Sequence, residues 1–289
     1  DLWFPPVDVP LGYGQVGRPP VLVMVCGYSR WMTAVMIPSR QGPDLLDGQW
    51  RVICRLGGAP KALVWDNESA IGQWRTGRPE LTVTTNAFRG TLGIKVIQCR
   101  PRDPEAKGLV ERANGYLETS FLPGRVFASP ADFNAQLADW LLRANSRHHR
   151  ALGCRPVDRF DADRAAMVAL PPVPPTVGWR LTTRLPRDHY VRLAANDYSV
   201  HPSVVGRRVD LSADLTQVSV VCDGREVARH PRCWASHQTI TDPAHREAAA
   251  ALRAAHRRVA APAIATDVEH RPLSDYDRAF GLDDDKEVA

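Results

Sequence analysis

The chain has 289 residues, enough for two ordinary domains, and its 44% apolar and 24% charged content marks a folded globular protein rather than a disordered or fibrous one. Its longest apolar runs, such as 21–26, fall far short of the roughly 18 residues a membrane span needs, and no charged-then-apolar leader opens it. The net charge of +5 is unevenly spread: residues 259–289 hold 3 basic and 8 acidic side chains, so a basic body with an acidic end remains, a balance suited to a polyanion partner.

The chain begins at Asp1, inside what reads as an opening strand over 1–9, and the expectation is a fragment whose N-terminal part lies upstream. VLVMVCGYS (21–29) and WMTAVMIPS (31–39) are apolar and rich in β-branched residues, which predicts an antiparallel hairpin. Residues 42–58 carry Leu45, Leu46, Trp50, Ile53 and Leu56 at helical spacing and stop at Gly57-Gly58. KALVWDN (61–67) is a short buried strand ending on an acid. A helix over 83–92 ends at Gly93, the strand IKVIQC follows, and 103–121 is helical with Asp103 and Pro104 as N-cap and first helical residue. A further helix runs over 130–149.

PPVPP (171–175) cannot continue a helix and reads as a stiff linker. Short strands with turn signals follow at close intervals, the pattern of a small barrel. The expected organisation is therefore a core over 1–165, a Pro-rich linker over 166–180, a β-barrel over 181–242, a helix over 243–259 and an acidic flexible tail over 260–289. The six cysteines are far apart and read as reduced, buried thiols. Zinc is disfavoured at His230, Cys233, His237 and His245, because structural sites pair two close couples across a longer loop.

Three strands, a helix, a strand ending in an acid, then helix, strand and helix is the order of a ribonuclease-H-like core: a mixed five-stranded sheet with helices. In that order acids on central strands meet an acid from a later helix, and hard divalent cations take such oxygen ligands. Asp66 ends an apolar strand; its bland reading is a turn-starting Asp before Asn67. Glu111 lies on the 103–121 helix with Lys107 one turn before it, where an exposed ion pair is the competing reading. Gly108 and Gly115 keep that helix face low, as close approach of a nucleic-acid backbone requires. Glu105 and Glu118 are rival acids. Asp1 opens the first strand, with Asp8 as its rival.

Together Asp1-Leu2-Trp3, GYSRWMTAVMIPS, VWDNESA and KGLVERANGYLE resemble the DDE transposases and retroviral integrases, and within them the IstA-like transposases of bacterial insertion sequences. NDYSVHPSVVGRRVDL, DGREVARHPR and TDPAH resemble the small β domain that follows the catalytic core in that family. The resemblance implies a DNA transposase that cleaves 3′ ends and transfers strands, with Asp1, Asp66 and Glu111 holding two Mg²⁺ or Mn²⁺ ions. It further implies phosphate contacts from Arg100, Arg102, Lys107 and Arg112, an orienting role for Asn67, and a backbone contact from Arg207 and Arg208. The implied partners are double-stranded DNA (element ends and target), an AAA+ helper ATPase and further copies of the chain on DNA, all in the bacterial cytoplasm beside the nucleoid. The 44 residues between Asp66 and Glu111 exceed the spacing of many integrases, with the excess at 71–81, a loop insertion in this resemblance. Two rivals stay open: a catalytically inactive DNA-binding relic, and a ribonuclease-H-like nuclease without transposition.

Overall fold

A computed structural model describes residues 1–75, 77–99, 108–259 and 272–280. The chain opens with β1 (Leu2–Trp3), turns through a small hairpin of β2 (Val9–Gly12) and β3 (Gln15–Gly17), and then forms the expected hairpin of β4 (Val21–Val25) and β5 (Met32–Met36). β4 lies between β1 and β5, antiparallel to both, with Val21 opposite Trp3 on one side and Met36 on the other. The opening strand expected over 1–9 is thus two pieces. Pro5-Pro6 interrupts it, since proline has no N–H to give a ladder.

α1 (Gly42–Leu56) starts with Pro43 in its first turn and stops at Gly57, whose φ of +76° suits glycine. β6 (Ala62–Trp65) follows. The segment expected as a loop insertion is an ordered hairpin, β7 (Gly72–Arg75) with β8 (Arg78–Leu81). Gly72 is required at its base, because an added Cβ would stand 2.6 Å from the Glu80 carbonyl. α2 (Val83–Leu92) is capped by Thr82, whose hydroxyl accepts from the Thr85 N–H at 3.2 Å. β9 (Lys95–Gln98) runs parallel to β6. α3 (Gly108–Tyr116) continues into a π-helical turn over Leu117–Phe121; α4 (Pro130–Asn145) and α5 (Pro156–Ala166) follow, α5 being absent from the sequence reading.

The five expected core strands therefore pair as an antiparallel trio, β1-β4-β5, and a parallel pair, β6-β9. Alternation in β4 and β5 serves two faces at once. Val21, Val23 and Met36 join Phe121, Phe133 and Trp140 on one side, while Leu22, Val35 and Ile37 join α1, Trp65 and Phe88 on the other. At about 1.5–3 kcal/mol per buried large side chain, these two clusters hold the strand ends in place.

Residues 171–175 belong to no helix or strand and bend at 172–173, and β10 (Trp179–Arg184) begins at the end of the expected linker. Then come β11 (Tyr190–Leu193), β12 (Asn196–Ser199), β13 (Arg208–Ala213), β14 (Gln217–Cys222), β15 (Arg225–Pro231) and β16 (Thr239–Ile240). They form a four-stranded sheet, β10-β13-β14-β15, and a three-stranded one, β11-β12-β16, around one apolar cluster that includes Val191, Tyr198, Leu211 and Val220. Core and β domain belong to one compact unit, residues 1–246. Their seam is polar and buried. Arg232 donates to both carboxylate oxygens of Asp44 (2.7 and 3.0 Å), the Trp179 indole donates to Asp44 at 2.8 Å, and the Leu215 N–H donates to Asp47 at 2.8 Å.

The histidines of the disfavoured zinc stretch are engaged in hydrogen bonds. His230 Nε2 lies 2.6 Å from the Ser199 carbonyl and His245 Nδ1 lies 2.9 Å from the Ser199 hydroxyl. Of the cysteines, Cys99 and Cys222 are buried but Cys54 is exposed, against the expectation of uniformly buried thiols, because it sits on the outward face of α1. Residues 247–289 cluster separately; α6 (Pro243–Val259) crosses that boundary. Within the stretch expected as a flexible tail, α7 (Leu273–Ala279) is helical and fully exposed.

Candidate active site

The parallel strands β6 and β9 end side by side, joined by the Cys99 N–H to Trp65 carbonyl bond of 2.8 Å. Asp66 follows β6 directly and is half-buried at this edge. The chain turns sharply there, with the Glu68 N–H donating to the Asp66 carbonyl at 2.7 Å and buried Glu68 paired to Arg40 at 3.0 Å. The turn residue Asn67 is exposed. Asp1 precedes β1. Its carbonyl accepts from the Val23 N–H at 2.9 Å and its Oδ1 from the Leu2 N–H at 2.8 Å, so the β4 ladder fixes its backbone.

Asp1 and Asp66 line one cleft of about 460 Å³, whose wall also holds Cys26, Cys99, Leu109 and Val110. Leu109 and Val110 bring α3 to the cleft, and Glu111 is the next residue, exposed on that helix. Burial, reinforced by the nearby Asp163 carboxylate, pushes the Cys26 thiol up to about 12, so this cleft cysteine stays protonated and is no nucleophile. Two carboxylates opening on one cleft form an all-oxygen donor set that suits a hard divalent cation. Among the described residues no three His, Cys, Asp or Glu side chains stand close enough to hold an ion.

Two of the rival acids, Glu118 and Asp8, have partners away from the cleft. Glu118 accepts from the Trp3 indole at 2.9 Å, and the π-helical turn starting at Leu117 breaks the helix register that would set Glu118 below Glu111. Asp8 pairs with Arg18 at 2.8 Å in the open. Glu105, Arg100, Arg102 and Lys107 lie outside the described residues. Arg112 is exposed on α3 and donates to the Gly108 carbonyl at 2.7 Å. Arg207 is ion-paired to Asp223, and Arg208 opens β13 opposite Arg184. The acid cleft and the Arg207-Arg208 turn share no lining residue.

The sequence reading missed a second, basic cleft beside the acids, rimmed by Arg30, Arg112, Arg147 and Arg150. The cluster HHR at 148–150 is its only local signal. Arg30 could not have been placed there from sequence, because its φ of +64° arises from the tight turn between β4 and β5.

These features place the chain in the class of integrase-type proteins, and the comparisons agree. Two family models described as integrase core domain match residues 7–104 and 92–156, and one described as Mu transposase, C-terminal domain, matches 170–242. Asp66 falls within the first match and Glu111 within the second, while Asp1 precedes both. The chain therefore carries an integrase core domain followed by a Mu transposase C-terminal domain, and it is similar to transposases of IS21-like insertion elements. It is 26% identical over 270 residues to the transposase for insertion sequence element IS21 of Pseudomonas aeruginosa, covering 91% of this chain and 66% of that protein. It is 29% identical over 201 residues to the transposase for an IS21-like element of Bacteroides fragilis, covering 66% of this chain and 38% of that one. The chain thus spans less than two thirds of the length of these relatives. Among solved structures, the catalytic core domain of BIV integrase is similar over 52% of this chain and 90% of that one, at 19% identity and a TM-score of 0.40. No helix among the described residues is long and apolar enough to cross a membrane.

Proposed function

We propose that the chain is the catalytic portion of a transposase that cleaves DNA 3′ ends and joins them to target DNA. The observation that carries this reading is that Asp1 and Asp66 open on one cleft walled by the helix that bears Glu111. In this reading Asp1, Asp66 and Glu111 would hold two Mg²⁺ or Mn²⁺ ions, two carboxylates coming from the strand ends and the third from α3, which would have to bring Glu111 closer than it stands here. Bound there, such ions supply Lewis-acid activation of the attacking hydroxyl and charge stabilisation of the leaving 3′ oxygen. The backbone at Asp1 is held by the β4 ladder and that at Asp66 by the turn at Glu68, so both acids project from fixed points of the chain. Arg112, with Arg100, Arg102 and Lys107 just before it in sequence, neutralises phosphates beside the scissile bond. Asn67 orients a phosphate oxygen, and Arg208 adds a backbone contact from the β domain. No side chain forms a covalent bond to DNA.

The partners in this reading are element ends and target DNA, further copies of the chain, and an AAA+ helper ATPase. No Gly-rich GKS or GKT stretch occurs in these 289 residues, so any ATP binding would lie outside them, in this reading on that helper. The acidic segment 260–289, with Leu273, Tyr276, Phe280 and Leu282 as apolar anchors, is the candidate docking segment for that helper, against the competing reading of an end that contacts nothing.

The test is a paired assay of the full-length protein. Asp66→Asn and Glu111→Gln are expected to abolish cleavage and strand transfer while leaving DNA affinity within about twofold. Retained activity in Glu111→Gln with loss in Glu118→Gln would show that the third acid is the one held by Trp3. The inactive-relic reading draws on the lack of a three-ligand cluster among the described residues. It takes over if the wild type binds DNA but transfers no strand with either Mg²⁺ or Mn²⁺.

A further inference from the structure

Beside the acid cleft, and sharing Val25 and Leu109 with it, a second cleft of about 490 Å³ opens between α3, the end of α4 and the start of α5. Its floor is apolar, with Leu109, Ala113 and Tyr116 presented by α3. Its rim carries Arg30, Arg112, Arg147 and Arg150, and no Asp or Glu among the described residues lines it. None of these four arginines makes an ion pair among the described residues. Arg30 is held at the rim in a left-handed conformation, φ +64°, by its N–H bond to the Cys26 carbonyl at 3.1 Å. Non-glycine residues rarely adopt that conformation, and they do so where the surroundings enforce it.

The two halves of this cleft ask for different things. Cations serve phosphates, but a phosphate gains nothing from an apolar floor and is costly to desolvate against it. An apolar floor with an aromatic side chain serves a flat, weakly polar group, yet such a group has no use for four guanidinium ions. The volume falls in the range of small-ligand sites. A ligand that satisfies both halves is a nucleotide outside its stack, whose base meets the floor while its flanking phosphates meet the rim.

We propose that this cleft receives a single unstacked nucleotide of the DNA held at the neighbouring acids, with its base against Tyr116 and Leu109 and its phosphates on Arg30, Arg112, Arg147 and Arg150. The proposal rests on the function proposed above and adds a base-accepting site to it. The cleft selects DNA that can be opened locally beside the scissile phosphate, since unstacking is least costly there.

The experiment fills the cleft without removing charge and then removes the base. The full-length protein is titrated, without divalent metal, against 30-base-pair duplexes ending in the terminal sequence that flanks the gene. Each duplex carries an abasic site at one successive position. Ala151→Trp adds bulk from an exposed loop position of the cleft, where folding is spared, and Ala144→Phe adds it from the end of α4. Either variant is expected to bind the intact duplex about tenfold more weakly and to return to within about twofold of wild type on one abasic duplex. An equal loss on every duplex would overturn the proposal and leave the cleft as a track for the phosphate backbone. Unchanged affinity in both variants overturns it as well. Failure of the wild type to bind any duplex strikes the proposed function itself, and separates that failure from this one.

Discussion

Asp44 and Asp66 are both acids in the core, and the structure uses them in opposite ways. Asp44 is 1% exposed, and its carboxylate accepts from the Ser39 hydroxyl, the Trp179 indole and both terminal nitrogens of Arg232. That carboxylate is fully committed to joining the core to the β domain. Asp66 stands half-buried at the end of β6, on the wall of a cleft it shares with Asp1. A buried acid ringed by donors serves architecture, whereas an acid at a strand end on a cleft wall stands where the proposed chemistry needs one. The two neighbouring acids at the seam follow the first pattern. Burial raises the Asp47 carboxyl above the usual range against the opposing pull of Arg51 and the Leu215 N–H, while hydrogen bonds from Thr216 and Gln217 outweigh burial and hold Asp214 below it.

Exchanging the two acids for uncharged side chains breaks the comparison most directly. Asp66→Asn is expected to lower strand transfer by about 10³-fold or more, equivalent to about 4 kcal/mol of transition-state stabilisation, with the thermal midpoint unchanged. Asp44→Ala is expected to cost about 3 kcal/mol of stability, because it leaves Arg232 buried without its counter-charge. Chemical denaturation checks the second and a gel assay of joined product the first. If Asp66→Asn unfolds the protein while Asp44→Ala leaves it stable and inactive, the two roles are reversed.

Asp66 could be singled out from the sequence, Asp1 could not be chosen over Asp8, and the acid of the seam could not be found at all, for a physical reason. Asp66 announces itself locally, as a charge at the end of KALVW that burial would penalise. Asp44 meets Trp179 and Arg232 only through the tertiary fold, across 135 and 188 residues, and nothing near it in sequence points there. The same division runs through the fold. α1 and α2 were legible because Gly57 and Gly93 mark their ends at positive φ. The hairpin β7-β8 was read as a loop because its ordering depends on distant partners. The Trp74 indole donates to the Cys99 carbonyl at 2.8 Å and Gln98 Nε2 to the Gly72 carbonyl at 2.7 Å. The π-helical turn after α3 has no sequence mark, so the sequence alone could not separate Glu118 from Glu111 on that helix.

A smaller effect sharpens the contrast within the β domain. His245 is buried beside His201 and His230, with Asp242 nearby, and burial is the main cause that holds its imidazole below the usual 6.5; Asp242 opposes the shift and the two histidines add to it. A base whose folded value is depressed gives full stability above the unfolded value and loses it as pH falls through 6.5 toward the folded one. The thermal midpoint is therefore expected to decline between pH 7.5 and 5.5, and His245→Gln to flatten that slope. A slope unaltered by the substitution assigns the titration to other groups.

The smallest expected effect concerns Asp8, the rival for the first acid of the cleft. Its side chain is 56% exposed and its partner Arg18 58%, at 2.8 Å, on the loop between the hairpin β2-β3 and the main sheet. Exposed pairs of this kind contribute about 0–1 kcal/mol, since solvent screens the attraction and two long side chains lose freedom to make it. Asp8→Asn is therefore expected to shift the denaturation midpoint hardly at all and to leave cleavage intact. Asp1→Asn, which alters a carboxylate on the wall shared with Asp66, should remove cleavage and leave the β4 ladder in place, because the bond from Val23 uses the Asp1 carbonyl and not its side chain. Measured side by side on the same DNA, the pair decides where the first acid stands. Loss of cleavage in Asp8→Asn with activity kept in Asp1→Asn would move that acid out of the cleft and leave Asp66 without its proposed partner.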